Sequence, residues 1–259
     1  MMLSEHTIEN NTDLKSLTNE FKTNWKNLEK KVFYFKSNKN FEDVRNYYFN
    51  LFKTVGKFFK VAEDARITDR NKQKTQTIWM EVRFDSSIKN AYRHSANAQP
   101  LHTDGSYNPN YPNSTLMCCE FNNAENGETI FIDAKKVADI LKDTNLELFN
   151  KIKNFEIIHE RSGDLKKSPI LSENQNKIWN INWNYYCVSK NLTKNENEIK
   201  EQFQNFLLGN HKIKENLLQI KMNKGDAIIW KDNEVLHGRN SFIAKKNSDR
   251  FIWKCAVNF

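Results

Sequence analysis

Leu14, Leu17, Phe21, Trp25 and Leu28 recur every three or four positions, a spacing that predicts an amphipathic helix from Asp13 onward. KVFYF at 31–35 reads as a short strand, and FEDVRNYYFNLFKTVGKFF at 41–59 returns to helical spacing and breaks near Gly56. TIWMEVRF at 77–84 alternates, with Ile78, Met80, Val82 and Phe84 on one face of a strand. STLMCCEF at 114–121 and ETIFIDA at 128–134 read as strands joined by a turn, and residues 134–154 as helical. FEIIHERS and KIWNINWNYYCVS follow as strands, the second placing Trp179, Ile181, Trp183 and Tyr185 on one face. A helix at 195–211 ends near Gly209, and LLQIKM, KGDAIIW, VLHGRNSF and RFIWKCAVNF complete a β-rich C-terminal part. Residues 1–12 are polar and are read as a loose end. No internal repeat or long linker divides the rest. Helices that cluster early and between two β-rich blocks suit one α+β domain built around an antiparallel barrel or jelly roll.

Composition adds a core. Of the 259 residues, 38% are hydrophobic, with 18 Phe and 6 Trp, enough to fill a sizeable interior. The net charge of +8 comes from lysines spread along the chain, which describes a solvated surface better than a nucleic-acid footprint. Cys118, Cys119, Cys187 and Cys255 sit in apolar or aromatic runs without CxxC spacing, as reduced core thiols of a cytoplasmic protein do. The N-terminus has no basic-then-apolar leader, and no apolar run approaches the ~18 residues of a membrane span.

The candidate chemistry begins in LHTDGSYNP, where His102 and Asp104 stand two positions apart near a strand end and can share a face. Such a pair supplies two ligands to a divalent metal, and a third must come from elsewhere. His6 lies in the polar end, His211 follows a helix end, and His159 has no nearby acid, whereas His94 competes by proximity. His237 has the better context, since KGDAIIWKDNEVLHGR is a tight turn, a buried strand, a short loop and a further strand. Two His and one carboxylate with open positions form the facial triad of non-haem Fe(II) oxygenases.

HTDGSY, NGETIFIDA, GDAIIWKDNEVLHGRNSF and DRFIWKCAV together resemble the Fe(II)/2-oxoglutarate-dependent dioxygenases of the taurine dioxygenase-like, or clavaminate synthase-like, superfamily over roughly residues 77–259. The resemblance implies a double-stranded β-helix, a jelly roll with a helical N-terminal part and helical insertions, as a single dioxygenase domain over 13–259. It implies His102, Asp104 and His237 as iron ligands, with Thr129 and Arg250 binding 2-oxoglutarate. Arg suits that role because its planar fork matches a carboxylate. Dioxygen would be the second cosubstrate, and succinate and CO2 the co-products of C–H hydroxylation. An intact Asp104 favours hydroxylation or desaturation over halogenation, since related halogenases lack that carboxylate.

HGRNSF is similar to the γ-butyrobetaine and trimethyllysine hydroxylase branch, although no N-terminal Cys/His zinc module is evident. Arg239 there either supports the metal site or caps its strand. Lys254, four residues after Arg250, either shares its inward face, about 13 Å away along the strand, or turns outward. Facing inward, Lys254 with Tyr107 and Trp183 would receive a small anionic or zwitterionic metabolite such as an amino acid, betaine or sulfonate. Trp183 is alternatively core packing. The expected partner is thus a small-molecule substrate, with neither nucleic acid nor membrane, and a homo-oligomer is compatible with the pattern. The alternatives are a non-catalytic metal-binding jelly roll, or the same iron site acting on a larger substrate.

Overall fold

The computed structural model describes residues 2–60, 77–88 and 91–259. Its elements form layers around two sheets. The larger sheet has seven strands. They are β1 (Leu3–Ile8), β2 (Val32–Ser37), β3 (Lys57–Phe58), β4 (Met80–Arg83), β6 (Ser114–Asn122), β14 (Ala227–Lys231) and β17 (Arg250–Asn258). Their order is β1-β2-β14-β6-β17-β3, with β4 also on β17. The smaller sheet runs β13-β8-β15-β5, from β5 (Gln99–His102), β8 (Thr129–Asp133), β13 (Leu218–Ile220) and β15 (Val235–Arg239). All pairings are antiparallel except β1 with β2.

Alternation along the strands builds the layers. Phe33, Phe35, Leu116, Ile229, Cys255 and Val257 turn outward from the larger sheet under helices α1 (Leu14–Trp25) and α2 (Val44–Phe52). Ile130, Ile132 and Leu236 turn outward from the smaller sheet under α3 (Ala134–Thr144), α4 (Leu146–Ile152), α5 (Lys194–Gly209) and α6 (His211–Glu215). Between the sheets lie Tyr34, Val82, Met117, Cys119, Phe131, Trp230 and Ile252. Each fully buried side chain of this size stabilises the fold by about 1.5–3 kcal/mol. Asp13 caps α1, and Thr193 with Glu196 forms a reciprocal capping box on α5. Small two-stranded ribbons complete the chain: β7 (Glu125–Asn126) with β16 (Phe242–Ile243), β9 (Glu156–Arg161) with β10 (Asp164–Pro169), and β11 (Leu171–Glu173) with β12 (Trp179–Ile181).

Three sequence expectations need correction. The polar end is not loose, because β1 extends the larger sheet in parallel with β2. Its buried face carries Ser4 and His6 beside Ile8, which hid the alternation. His6 stacks on Phe35 at 4.9 Å and bonds Ser4 Oγ at 3.2 Å. The helix expected over 41–59 spans only Val44–Phe52, after which Lys57–Phe58 joins β17. The aromatic strand stops at Ile181 and gives way to a 3-10 turn at Tyr185–Cys187. There the backbone leaves its ribbon, and Trp183 exchanges bonds with Thr103 at 2.7 and 3.1 Å. All four cysteines are free and buried. Among the described residues no helix is long and apolar enough to cross a membrane.

His159 is completely buried, accepts the Asn184 N–H at 3.2 Å, and is pushed down to about 3 by burial, with Lys166 adding to the effect. The folded protein therefore keeps it neutral between about pH 3 and 6.5, where the unfolded chain binds a proton. Its contribution is complete above 6.5 and falls by about 1.4 kcal/mol per unit as pH drops through that window. Denaturant unfolding of wild type and His159→Asn from pH 7 to 4 should show a steeper acid loss in wild type. Parallel curves would refute the assignment.

Candidate active site

His102, Asp104 and His237 come together from three places in the fold. His102 ends β5 and pairs in register with His237 on β15, bringing the imidazoles to a 4.2 Å centroid separation. Asp104 begins the following turn. Gly105 there has φ +55, and a Cβ would lie 2.1 Å from the Tyr111 ring, so the turn requires glycine. One ligand atom from each of the three residues lies within 4.8 Å of the others. His102 Nε2 is 3.8 Å from Asp104 Oδ1, and His237 Nε2 is 3.6 Å from Asp104 Oδ2. His94 does not join them; its Nδ1 meets the Arg83 carbonyl at 2.8 Å.

The protonation states suit a metal. Burial lowers both imidazole pKa values; for His102 Lys254 adds to the effect, and for His237 His102 does. Both are neutral at physiological pH, as ligands must be. His102 Nδ1 lies 2.8 Å from the Pro100 carbonyl, which fixes the proton there and turns the Nε2 lone pair to the centre. Burial alone would raise the Asp104 carboxyl, but the Lys254 ammonium outweighs it and holds it well below the carboxylate range. Lys254 Nζ stands 2.5 Å from Asp104 Oδ2. Lys254 thus faces inward on β17, two and four residues from inward Ile252 and Arg250.

Asp232, in the short connection between β14 and β15, belongs to the site. Its Oδ1 accepts the Asp104 backbone N–H at 3.1 Å and Trp230 Nε1 at 3.2 Å, and lies 3.7 Å from His237 Nδ1. The Thr115 hydroxyl reaches Asp232 at 2.7 Å and Asp104 at 3.1 Å. Burial and the neighbouring Asp104 charge push Asp232 up to about 7. Asp232 stands behind the His237 ring at 3.7 Å, beyond hydrogen-bond distance, and His237 Nδ1 is buried without a hydrogen-bond partner. The signal in the sequence was an acid in the tight connection leading into the His237 strand.

Two buried guanidiniums lie nearby. Arg250 is 3% exposed, and burial lowers its pKa to about 10. Arg239 is lowered to about 9 by burial and by Arg250. Phe242 lies between them, 4.9 Å from Arg239 and 5.7 Å from Arg250. No carboxylate of the described residues forms an ion pair with either, and the Nε atom of each is buried without a partner. Arg239 Nη2 donates to the carbonyls of Ser95 at 2.8 Å and Asn97 at 2.6 Å, tying that loop to β15. Thr129 is buried opposite Arg239. Tyr107 is half-buried in the turn after Asp104. Trp183 is core: it is fully buried, donates to Gln204 at 3.1 Å and packs on Phe203 at 4.8 Å.

Comparison with known proteins agrees with this geometry. The sequence model of the family described as "Taurine catabolism dioxygenase TauD, TfdA family" matches residues 51–256. No curated protein sequence matches the chain. Among solved structures, PvcB from Pseudomonas aeruginosa is similar with a TM-score of 0.64 at 13% identity, covering 95% of this chain and 80% of PvcB. The non-heme iron oxygenase OrfP, solved with Fe, succinate and (3S)-hydroxy-L-Arg, gives 0.64 at 12% identity over 95% and 80%. An asparagine oxygenase with Fe(II), 2S,3S-3-hydroxyasparagine and succinate gives 0.61 at 10% over 95% and 78%. The chain belongs to the TauD, TfdA family and is a non-haem iron, 2-oxoglutarate-dependent dioxygenase. Its residues fit both groups: two neutral imidazoles and one carboxylate for iron, and the buried Arg250 guanidinium, with no ion-pair partner among the described residues, for a dicarboxylate.

His237→Ala should abolish stoichiometric Fe(II) binding in an anaerobic titration while the circular dichroism spectrum stays native, and His94→Ala should bind normally. The reverse pattern would move the third ligand to His94. Gly238→Ala should lower stability by about 1–3 kcal/mol, because the new Cβ would sit 2.6 Å from the Gln99 carbonyl. An unchanged melting temperature would contradict that close approach.

Proposed function

We propose that this dioxygenase hydroxylates an unactivated C–H bond of a small anionic or zwitterionic metabolite, with amino acids the favoured class. The observation that carries this reading is Lys254, an ammonium held between the sheets 2.5 Å from Asp104. A cation at that place offers an anionic group of the substrate a partner beside the metal ligands. The crystallised complexes of OrfP with hydroxy-arginine and of asparagine oxygenase with hydroxyasparagine support the amino-acid class. In this reading the facing sheets are the halves of a jelly roll, and four buried thiols suit a cytoplasmic enzyme.

When bound, iron and 2-oxoglutarate supply the oxidation that places oxygen from O2 into a C–H bond, with succinate and CO2 as the other products. The protein's residues position and exclude. Arg250 gives a two-pronged donor set to the distal carboxylate of 2-oxoglutarate, and Thr129 adds a hydroxyl. Lys254 orients the substrate's anionic end, and Tyr107 borders it. The inter-sheet residues Phe131, Trp230 and Ile252 keep water from the centre. Arg239 works from behind by tethering the loop that precedes β5 rather than by touching the substrate, and Trp183 serves the core.

Arg250→Ala should weaken 2-oxoglutarate binding by a factor of tens or more, since a charge-assisted, buried contact is lost. Thr129→Ala should cost about 1 kcal/mol. Unchanged affinity in the arginine variant would remove the support for this cosubstrate site. In a panel of amino acids, betaines and sulfonates, the best compound should raise succinate formation above the uncoupled rate, and Lys254→Met should raise its KM at least several-fold. If only peptides, lipids or nucleic acids stimulate turnover, the substrate class is wrong.

A further inference from the structure

We propose that Gln99 is a further active-site residue, whose carboxamide donates a hydrogen bond to the metal-bound carboxylate of 2-oxoglutarate. The inference rests on the dioxygenase reading above and adds a residue to it. Gln99 lies three positions before His102, so in a regular strand the two would face opposite sides of the sheet. The pairing with β15 is not regular: His237 faces His102, but Arg239, two residues on, faces Gln99, three residues back. One extra residue is accommodated on β5 at Pro100–Leu101, a β-bulge on an edge strand of the sheet, where proline is tolerated. The bulge returns Gln99 to the inward face. Gly238, across from the bulge, must be glycine for the strands to close there, as the 2.6 Å approach to the Gln99 carbonyl shows. Leu101 meanwhile keeps its place in the outer cluster.

The result is a carboxamide nitrogen 3.1 Å from His102 Nε2, the nitrogen that faces the metal ligands. Because the His102 Nδ1 proton is committed to the Pro100 carbonyl, Nε2 is an acceptor and the Gln99 amide must present its N–H to it. A metal takes that lone pair. The amide donor is then left at the coordination face without its partner, and an oxygen anion bound beside His102 is the acceptor its chemistry requires. The orientation argues against Gln99 as a fourth protein ligand, since a carboxamide would ligate through oxygen.

Gln99→Leu and Gln99→Glu test this. Fe(II) affinity is measured by anaerobic titration, melting temperature by a thermal scan, and 2-oxoglutarate binding to the Fe(II)-loaded protein by its visible charge-transfer absorption. The leucine variant should keep Fe(II) affinity and melting temperature, lose about tenfold in 2-oxoglutarate affinity, and shift the absorption maximum. The glutamate variant, which turns the donor into an anion, should lose more. Wild-type affinity and spectrum in the leucine variant would overturn the inference while leaving the dioxygenase reading standing. So would weaker iron binding in leucine with tighter binding in glutamate, which would make Gln99 a metal ligand. A wild-type protein without the charge-transfer absorption would instead fail the underlying reading.

Discussion

A carboxylate buried between two apolar-backed sheets has to be compensated, and the interior is arranged around that need at Asp104. An isolated buried charge would cost several kcal/mol or neutralise itself. Here a lysine from the far sheet supplies the opposite charge, and two neutral imidazoles flank it. The nearby Asp232 cannot ionise as easily beside it. Thr115 has one hydroxyl proton and two carboxyls within reach, so a proton on Asp232 relieves both the repulsion and the shortage of donors. The helices outside both sheets matter to this balance, since Phe33, Phe35, Ile130 and Ile132 seal the outer faces and keep the interior dielectric low.

The contrast between the two cationic groups is informative. Lys254 has a carboxylate at hand, whereas Arg239 and Arg250 share the Phe242 ring and only Arg239 reaches backbone carbonyls. Phe242 offers its ring to both guanidiniums, and Arg250 still lowers the Arg239 pKa through their like charge. Lys254 is a compact charge beside Asp104, and Arg250, farther along the same strand, is a planar fork suited to a carboxylate, so the two cations differ in the anion geometry they can match.

What the sequence made legible was periodic or local. Strand alternation placed Val82 in the inner cluster, although Ile78, expected on the same face, packs against the outer one. Of the two faces the sequence left open to Lys254, the strand gives the inner, and the i, i+2 spacing brought His102 and Asp104 together. The distant His237 was legible from the turn-strand-loop-strand context around it. Residues that depend on departures from regularity were not. Gln99 reaches the interior only through a bulge that no period-2 reading contains. Asp232 looked like loop chemistry because its partners come from Asp104 and Thr115, far back in the chain. Trp183 fitted an aromatic stripe until the backbone turned to meet Thr103. β1 was hidden for the opposite reason: it alternates properly, but with Ser4 and His6 on the buried side.

The bond from the Asp104 backbone to Asp232 joins positions 128 residues apart. Contacts of such long range close late, after shorter loops have formed and the entropy of bringing the ends together has been met. The chain emerging during synthesis therefore carries His102 and Asp104 long before His237 exists, and the strand that bears Lys254 follows later still. Until both sheets have closed, a nascent chain offers iron only a loose pair of donors. A complete set of three donors therefore exists only in molecules whose two sheets have closed around Asp104.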